Sequence, residues 1–379
     1  MGSVGGPERS TTNTSRPSRV QLSARTWYVT QLQRALRVLC VCGIVGCAAE
    51  VPVIERTPHS LIADTLASAD DGAFFRPADI VLLPSGELAV LEYTPSAIVV
   101  IDSSSGARVR RIGGPGKGPG ELEQPLGLRL SGDTLVTLNA GNGRVERFLV
   151  DGTVLESRPA PIGAHLGRFA FNPDGGMLLP TAGADSTLLR VLAPNGTLSH
   201  RTGRPRVPFT RQYNLDAFRA QAERLEVPDY YGNDVLAAMS PDSVFWLAFG
   251  AIPEVAAYHR DGSVVATFRL PDSLSTPILE DYRTRNREAA GTLRFHQLSF
   301  FADIRFDDAL VWVLLRNPPD LDARVLVLDQ LGALKGNYVI AGAKDVWRIA
   351  PARRAGWLYL SSATTSEVYR VALPDSLRR

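Results

Sequence analysis

The hydrophobic residues between Ile112 and Gly152 fall into short runs that are separated by turn residues. This spacing predicts antiparallel β-strands joined by tight hairpins. The expected strands are residues 126–130, 134–138, 145–150 and 153–155. Gly, Asp and Asn stand between them, and these residue types tolerate the backbone angles of tight turns. Four strands in about 40 residues are typical of one blade of a β-propeller.

The same order of strand, turn and strand recurs along the chain. Six turns of the kind that joins a blade's first two strands can be counted. They lie at residues 84–86, 131–133, 173–175, 241–243, 306–308 and 351–353. We therefore predict an all-β protein, a six-bladed β-propeller over residues 60–375. An open β-sandwich, or two smaller β-domains, is the alternative that this pattern leaves open.

The last predicted blade, residues 344–374, contains only three apolar runs. Residues 60–66 form a further run that belongs to no other blade. We expect this N-terminal segment to supply the missing fourth strand of the last blade. Such a pairing hides two strand edges that would otherwise be exposed.

Two insertions interrupt the even spacing, at residues 203–232 and 272–298. The first predicts a helix over residues 214–225, and the second a helix that begins at Pro277 and ends before Gly291. Both insertions follow the fourth strand of one predicted blade and precede the first strand of the next. The glycine-rich loop 113–121 has the same position. Connections of this kind emerge on one face of the ring, so we expect that face to be the working surface. The alternative is that the helices only plug the channel mouth.

Large aromatic residues are concentrated in these insertions. Aromatic side chains dominate the energetics of many binding surfaces. We predict a ligand-binding face that includes Phe209, Tyr213, Tyr230, Tyr231 and Tyr282.

The first 47 residues have the pattern of an export signal. Residues 1–28 are rich in Ser, Thr, Gly and Arg and are expected to be a disordered leader. Two arginines then precede an apolar run, residues 38–45, which is too short to span a bilayer. Its ending, Ile-Val-Gly-Cys at residues 44–47, resembles the bacterial lipobox. We therefore predict lipidation at Cys47, an extracytoplasmic location in the cell envelope, and a tether over residues 48–59. A plain signal peptide with an incidental cysteine is the alternative.

Charge and cysteine content narrow the possible partners. The net charge is +2, but six arginines and one acid lie within residues 1–46, so the remaining chain is mildly acidic. A mixed, mildly acidic surface argues against a nucleic-acid partner. All three cysteines, Cys40, Cys42 and Cys47, lie near the N-terminus, which excludes a disulfide framework in the propeller. We expect a monomeric domain.

The second predicted blade resembles the NHL repeat. That repeat has a glycine-rich loop, Pro-x-Gly and a hydrophobic residue, an Asp-Gly turn, a strand ending in Asp, and a short Asn/Gly turn followed by Arg. The matching residues here are Pro125, Gly127, Gly132, Asn139, Asn142 and Arg144. Asn139 replaces the usual Asp, and Gly143 replaces the second Asn of the turn.

The whole of residues 60–375 is similar in outline to bacterial six-bladed propeller lipoproteins. This resemblance implies a binding or scaffold module for protein, peptide or glycan ligands. A minority of such propellers are lyases or lactonases, so a metal-dependent hydrolase or lyase with its site on the propeller axis is the alternative.

Few residues offer catalytic chemistry. The chain has no nucleophile elbow of the form GxSxG, and the loop 113–118 lacks the hydroxyl that a phosphate loop requires. We expect no catalytic set and no cofactor. Calcium or zinc on the axis is the alternative. Asp79 and Asp303 lie early in first strands, with Asn233 or Asp234 at the rim, and resemble a lactonase-like calcium site. His165 and His296 precede first strands and resemble a lyase-like zinc site.

Overall fold

A computed structural model describes residues 57–70, 72, 76–160, 169–172, 174–184, 186–209, 214–224, 226–292 and 294–378. The fold is an all-β propeller, as the strand pattern predicts. Three residues that the sequence singles out, Cys47, His165 and Tyr213, lie outside the described residues. No helix in the described ranges is both long enough and apolar enough to cross a membrane.

Sixteen strands form four separate antiparallel sheets in chain order. The first sheet contains β2 (Pro77–Leu82), β3 (Leu88–Glu92), β4 (Ala97–Ile101) and β5 (Arg108–Ile112). The second contains β6 (Pro125–Ser131), β7 (Thr134–Asn139), β8 (Arg144–Leu149) and β9 (Val154–Pro159). The third contains β10 (Ala170–Phe171), β11 (Met177–Pro180), β12 (Leu189–Leu192) and β13 (Leu198–Thr202). The fourth contains β14 (Val235–Met239), β15 (Phe245–Phe249), β16 (Glu254–Tyr258) and β17 (Val264–Arg269).

The remaining strands form one eight-stranded sheet. One half contains β18 (Phe301–Asp307), β19 (Leu310–Leu315), β20 (Asp322–Asp329) and β21 (Leu334–Lys344). The other half contains β22 (Arg348–Ala352), β23 (Trp357–Ser362) and β24 (Glu367–Ala372). The N-terminal strand β1 (His59–Ser68) lies between β21 and β24 and joins the two halves.

The core lies between neighbouring sheets. Every residue of β3, β4 and β7 is buried, whereas the outer strands β5 and β9 are mostly exposed. Leu91 and Ile98 of the first sheet belong to the same apolar cluster as Leu128, Leu135 and Phe148 of the second sheet. Because each sheet buries both faces of its middle strands against its neighbours, those strands are buried along their whole length rather than at alternate residues.

Among the described residues, two helices lie in connections between strands, α1 (Leu215–Glu223) and α2 (Asp272–Glu288), and a third, α3 (Asp375–Arg378), follows the last strand. Short 3₁₀ turns occupy Asp229–Tyr231 and Arg353–Ala355. The predicted first helix is confirmed, and the Asn214 side chain caps it by accepting from the Ala217 N–H at 2.9 Å.

The predicted start of the second helix at Pro277 is wrong, because the helix begins at Asp272 and Pro277 lies inside it. The carbonyl of Pro271 accepts from the N–H groups of Leu274 and Ser275, which forms the first turn before Pro277 is reached. Because proline has no backbone N–H, Pro277 removes one hydrogen bond of the helix, and the helix still forms because its first turn is already in place.

The predicted role of the N-terminal segment in closing the last sheet is confirmed. Residues 63–68 of β1 pair antiparallel with β24, and residues 59–62 pair parallel with β21. Ala67 of β1 is buried in the core shared with the first sheet. Both strand edges are therefore covered, which removes the template for edge-to-edge association.

Gly106 shows how closely the first sheet packs against β1. Gly106 has a φ of 73°, and a Cβ at that position would lie 1.9 Å from the carbonyl oxygen of Leu66 in β1. Gly86 has a φ of 86°, and a Cβ there would meet nothing within 4 Å. The two glycines therefore share the left-handed backbone and differ in the proximity of β1.

We expect Gly106→Ala to lower the free energy of unfolding more than Gly86→Ala does. An alanine in the left-handed backbone conformation costs about 1–2 kcal/mol at either position, but only the Cβ at position 106 collides with β1. Urea unfolding of the two variants and the parent measures the difference. Equal losses in the two variants would contradict the close packing of β1 on this turn.

Candidate functional site

The first strands of the sheets surround a central cavity. In the described part of the chain, β2, β6, β10, β14, β18 and β22 all contribute to its wall. The cavity has a volume of about 220 Å³. We call it the axial cavity. Any chemistry on the propeller axis therefore depends on the side chains of these inner strands.

A β-bulge occurs at the same point of three inner strands. The pairing register shifts between Pro77 and Asp79 in β2, between Leu126 and Leu128 in β6, and between Phe301 and Asp303 in β18. The sequences are Pro-Ala-Asp-Ile, Pro-Leu-Gly-Leu and Phe-Ala-Asp-Ile. A bulge redirects the side chain that it carries. Two of these three strands therefore present a carboxylate at an equivalent position.

Each of these carboxylates bonds to the inner strand that follows along the chain. Asp79 Oδ2 accepts from the Leu128 N–H of β6 at 2.8 Å. Asp303 Oδ2 accepts from the Ile349 N–H of β22 at 3.1 Å. Asp79 and Asp303 also accept, through Oδ1, from the N–H of the following residue. The two aspartates thus connect neighbouring inner strands near the axis.

Three arginines surround the two carboxylates. Arg129 Nη1 lies 2.5 Å from Asp79 Oδ2, and Arg305 Nη2 lies 2.6 Å from Asp79 Oδ1. Arg305 also reaches Asp303, with Nε 2.8 Å from Oδ2. Arg348 Nε is farther away, 3.9 Å from Asp79 Oδ1. We call these five residues the axial ion cluster.

The electrostatics of the cluster favour the charged forms of Asp79 and Arg305. Burial acts to raise the pKa of Asp79, but the positive charges of Arg305, Arg129 and Arg348 outweigh it and hold that pKa well below its usual range. Burial acts to lower the pKa of Arg305, but Asp303 and Asp79 outweigh it and raise that pKa. A buried ion pair of this kind is maintained by hydrogen bonds on both partners.

This arrangement differs from the calcium site that the sequence suggested for Asp79 and Asp303. Both carboxylates do lie near the axis, but they meet through Arg305 and accept from backbone N–H groups. A divalent cation would have to displace guanidinium groups from these oxygens. Among the described residues, no group of three or more His, Cys, Asp or Glu could hold a metal ion.

The rim candidates have other partners. Asn233 Oδ1 accepts from the Arg206 N–H at 2.8 Å, and its Nδ2 donates to the Val207 carbonyl. Asp234 Oδ2 accepts from Gln297 Nε2 at 2.9 Å. Both residues therefore hold insertion segments against the start of β14.

A second cavity lies where the second insertion meets three inner strands. Its volume is about 390 Å³. We call it the mouth cavity. The strand starts contribute Leu236, Phe301, Ala302, Trp347 and Arg348. The other described residues of its wall are Arg285, Phe295, His296, Gln297, Ser299 and Arg316.

The axial ion cluster separates the two cavities. Along β18, residues 301 and 302 line the mouth cavity, Asp303 belongs to the cluster, and residues 304–306 line the axial cavity. Likewise Arg348 lines the mouth cavity, whereas Arg129 and Arg305 line the axial cavity. The ion cluster therefore lies between the two cavities along β18, and its Arg348 belongs to the wall of the mouth cavity.

Asn286 of α2 fastens this helix to the segment at His296, a later part of the same insertion that lines the mouth cavity. This buried amide donates to the His296 carbonyl at 2.9 Å and accepts from the His296 N–H at 3.0 Å. Burial is the first cause that lowers the pKa of the His296 imidazole, and the charges of Arg285 and Arg294 lower it further. His296 is thus held as a neutral group at the cavity wall.

The aromatic residues predicted for the binding face have different environments. Phe209 is 38% exposed, and Tyr230 is half-buried against Phe218. Tyr231 is buried between Phe218 and Phe295. The prediction of Tyr282 as a contact residue needs correction, because its ring is fully buried and its hydroxyl donates to the Glu226 carbonyl at 2.9 Å. Tyr282 joins α2 to the first insertion instead.

Sequence reasoning missed the arginines and the tryptophan of the two cavities. Arg129 directly follows Pro-Leu-Gly-Leu, and Arg305 directly follows Phe-Ala-Asp-Ile. This repeated position is a signal in the sequence that could have indicated both arginines. Arg316 and Trp347 offered none, because they stack on each other at 3.7 Å from positions far apart in the chain.

Comparison with solved structures concerns the fold. A Bacteroides fragilis protein, provisionally described as exported, aligns with a TM-score of 0.50 and 12% identity over 82% of this chain and 94% of that chain. A streptogramin B lyase aligns with a TM-score of 0.49 and 10% identity, over 83% of this chain and 98% of that chain. A virginiamycin B lyase from Staphylococcus aureus aligns with a TM-score of 0.48 and 11% identity, over 83% of this chain and 100% of that chain. No protein-family model and no curated protein matches the chain. At these identities the likeness transfers a fold and no activity.

We expect Asp79→Asn to lower the free energy of unfolding by about 3–5 kcal/mol, the range typical of removing one partner from a buried ion pair. The loss arises because three guanidinium groups keep their charge without that carboxylate. Urea unfolding near pH 7 measures it, and Asp151→Asn is the matched control because Asp151 is an exposed turn residue that accepts from the Thr153 N–H.

The pH dependence of the free energy of unfolding provides a second test with the same variant. The pKa of Asp79 is lowered in the folded protein, so its contribution is complete above the unfolded pKa of about 3.9 and is lost as the pH falls toward the folded value. The difference between parent and Asp79→Asn should therefore shrink in acid. A difference that is small at pH 7, or that grows in acid, would show that the cluster does not stabilise the fold.

Proposed function

We propose that the propeller has six blades, with NHL-like repeats in its first half. The support is that six inner strands surround one cavity and that the eight-stranded sheet reads as two blades joined by β1. Four separate four-stranded sheets supply the other blades.

The function that this geometry supports best is binding: an extracytoplasmic module, tethered to the membrane through a lipid on Cys47, that holds a protein, peptide or glycan ligand on its insertion-bearing face. One observation carries the proposal. The mouth cavity opens where the second insertion meets the starts of three inner strands, and the ion cluster beside it consists of carboxylates paired with guanidinium groups rather than of reactive groups. Pockets of several hundred Å³ with a mixture of aromatic and polar walls are typical of ligand sites.

An axial enzyme has less support. The carboxylates that a lactonase-like calcium centre would use on the axis are Asp79 and Asp303, and both are engaged by arginines and backbone N–H groups. A carboxylate held in this way is an anchor for neighbouring strands. We therefore favour binding over metal-dependent hydrolysis or elimination.

We expect Cys47→Ala to release the protein from the membrane, because the predicted acyl chain and the signal for its attachment are lost together. Membrane fractionation and intact-mass analysis of the parent and the variant in a bacterial host test this. Cys42→Ala is the matched control and should leave the membrane fraction unchanged. If the parent carries no acyl group, the tether is wrong, and a plain export signal is the remaining interpretation.

We expect a Phe209→Ala/Tyr230→Ala double variant to lose the partners that the parent captures from envelope extract. Truncating an aromatic anchor typically costs about 2 kcal/mol or more of binding free energy. Quantitative mass spectrometry of the captured material measures the loss.

The control for this experiment lies on the opposite face. An Asp174→Asn/Asp242→Asn variant changes two turns that join first and second strands, while each side chain keeps an acceptor oxygen. It should retain all partners. Loss of partners in this control, with retention in the aromatic variant, would mean that the insertion-bearing face is not the binding face.

A further inference from the structure

The charged groups that line the mouth cavity all have one sign. Among its described wall residues, the charged side chains are Arg285, Arg316 and Arg348, and none carries a carboxylate. Arg, Gln and Trp side chains supply hydrogen-bond donors, and each guanidinium has five of them in a planar arrangement. The wall is therefore rich in hydrogen-bond donors.

Each arginine is held in place by at least one described partner. Arg285 Nη2 lies 2.6 Å from Asp281, and Arg316 Nη1 lies 2.6 Å from Asp345. Arg348 Nη1 donates to the carbonyl oxygens of Trp347 and Ala302. These described contacts engage part of each guanidinium group. In the described part of the chain, Arg285 Nε and Arg348 Nε are buried and have no hydrogen-bond partner.

Arg285 and Arg316 are close enough for their charges to interact, and Asp281 acts on both of them. Burial is the first cause that lowers the pKa of Arg316, and its partner Asp345 opposes that effect, but the charge of Arg285 lowers the pKa further. Asp281 and Asp345, the acids that face this group from neighbouring elements, are each already paired with one arginine. An additional anion in the cavity would reduce this repulsion.

Apolar surface adjoins the arginine-lined wall. Leu236, Phe295 and Phe301 line the same cavity, and Trp347 carries the stacked guanidinium of Arg316. A volume of about 390 Å³ suits one or two amino-acid residues rather than a folded domain. The wall thus combines a place for an anion with a place for an apolar side chain.

We propose that the mouth cavity binds a carboxylate group of a peptide that carries an apolar residue beside it. A carboxylate is an acceptor-only group of matching planar geometry, and guanidinium pairs with it through two parallel hydrogen bonds. A sugar presents hydroxyl donors, and the described wall offers them no carboxylate acceptor. The proposal deepens the proposed function, because it rests on the same insertion-bearing face and names the ligand chemistry.

The experiment uses isothermal titration of the full propeller with defined probes. The first is acetyl-Ser-Gly-Ala-Leu-Phe with a free terminal carboxylate, and the second is the same peptide with a terminal amide. The third is an amidated peptide in which Glu precedes Phe, so that only a side-chain carboxylate is present. Galacturonic acid is the fourth and represents an acidic sugar.

We expect at least one carboxylate peptide to bind, and the fully amidated peptide to bind at least about tenfold more weakly, as the loss of a charged hydrogen bond predicts. The free-acid and Glu peptides distinguish a chain terminus from a side chain as the source. Arg285→Gln should weaken binding by about tenfold, and Arg285→Lys should restore part of it. Arg283→Gln is the matched control on the same helix, because Arg283 pairs with Glu280 and is not among the described wall residues.

Three results would overturn the inference: equal binding of the carboxylate and amide peptides, binding of galacturonic acid alone, or no binding by any probe at millimolar concentration. Melting temperatures of the variants show whether a loss reflects unfolding. If the probes fail while the aromatic face variant still loses its envelope partners, the proposed function stands and only the ligand chemistry is wrong. If the probes bind but the face variant keeps every partner, the cavity is a site and the proposed face is wrong.

Discussion

The arrangement of this propeller depends on a buried ion pair at its axis. The inner strands must approach one another closely, yet each carries backbone N–H groups that burial would leave without partners. Asp79 meets this constraint by accepting from Leu128 of the next strand and by pairing with Arg129 and Arg305. An uncompensated charge in such a place is costly, so each partner is needed by the others.

The same ion cluster determines where chemistry can occur. It lies between the axial cavity and the mouth cavity along β18, so a ligand in the mouth cavity has Arg348 of this cluster in its wall. The second insertion then builds one wall of the pocket, held by Asn286 against the segment at His296. The guanidinium groups of Arg285 and Arg316, stacked in the latter case on Trp347, give that pocket its charge. Binding follows from this geometry more directly than catalysis does.

Local patterns in the sequence predicted the fold well because strands and hairpins are encoded by neighbouring residues. The runs at 126–138 became β6 and β7, and the unassigned run at 60–66 became part of the closing strand β1. The site was less predictable. Arg305 reaches Asp79 across 226 positions, a proximity that no local pattern encodes. Tyr282 is a residue type that is common on binding surfaces, but its hydroxyl donates to the Glu226 carbonyl. This contact depends on how the two insertions pack together, which the local sequence does not encode.

A double-mutant cycle on Asp79 and Arg305 tests the central claim most directly. The free energy of unfolding is measured for the parent, Asp79→Asn, Arg305→Gln and the double variant. If the two side chains stabilise the axis through each other, the double variant loses less stability than the sum of the single losses, with a coupling of about 1–3 kcal/mol. Losses that add to within about 0.5 kcal/mol would contradict the claim that this ion pair holds the inner strands together.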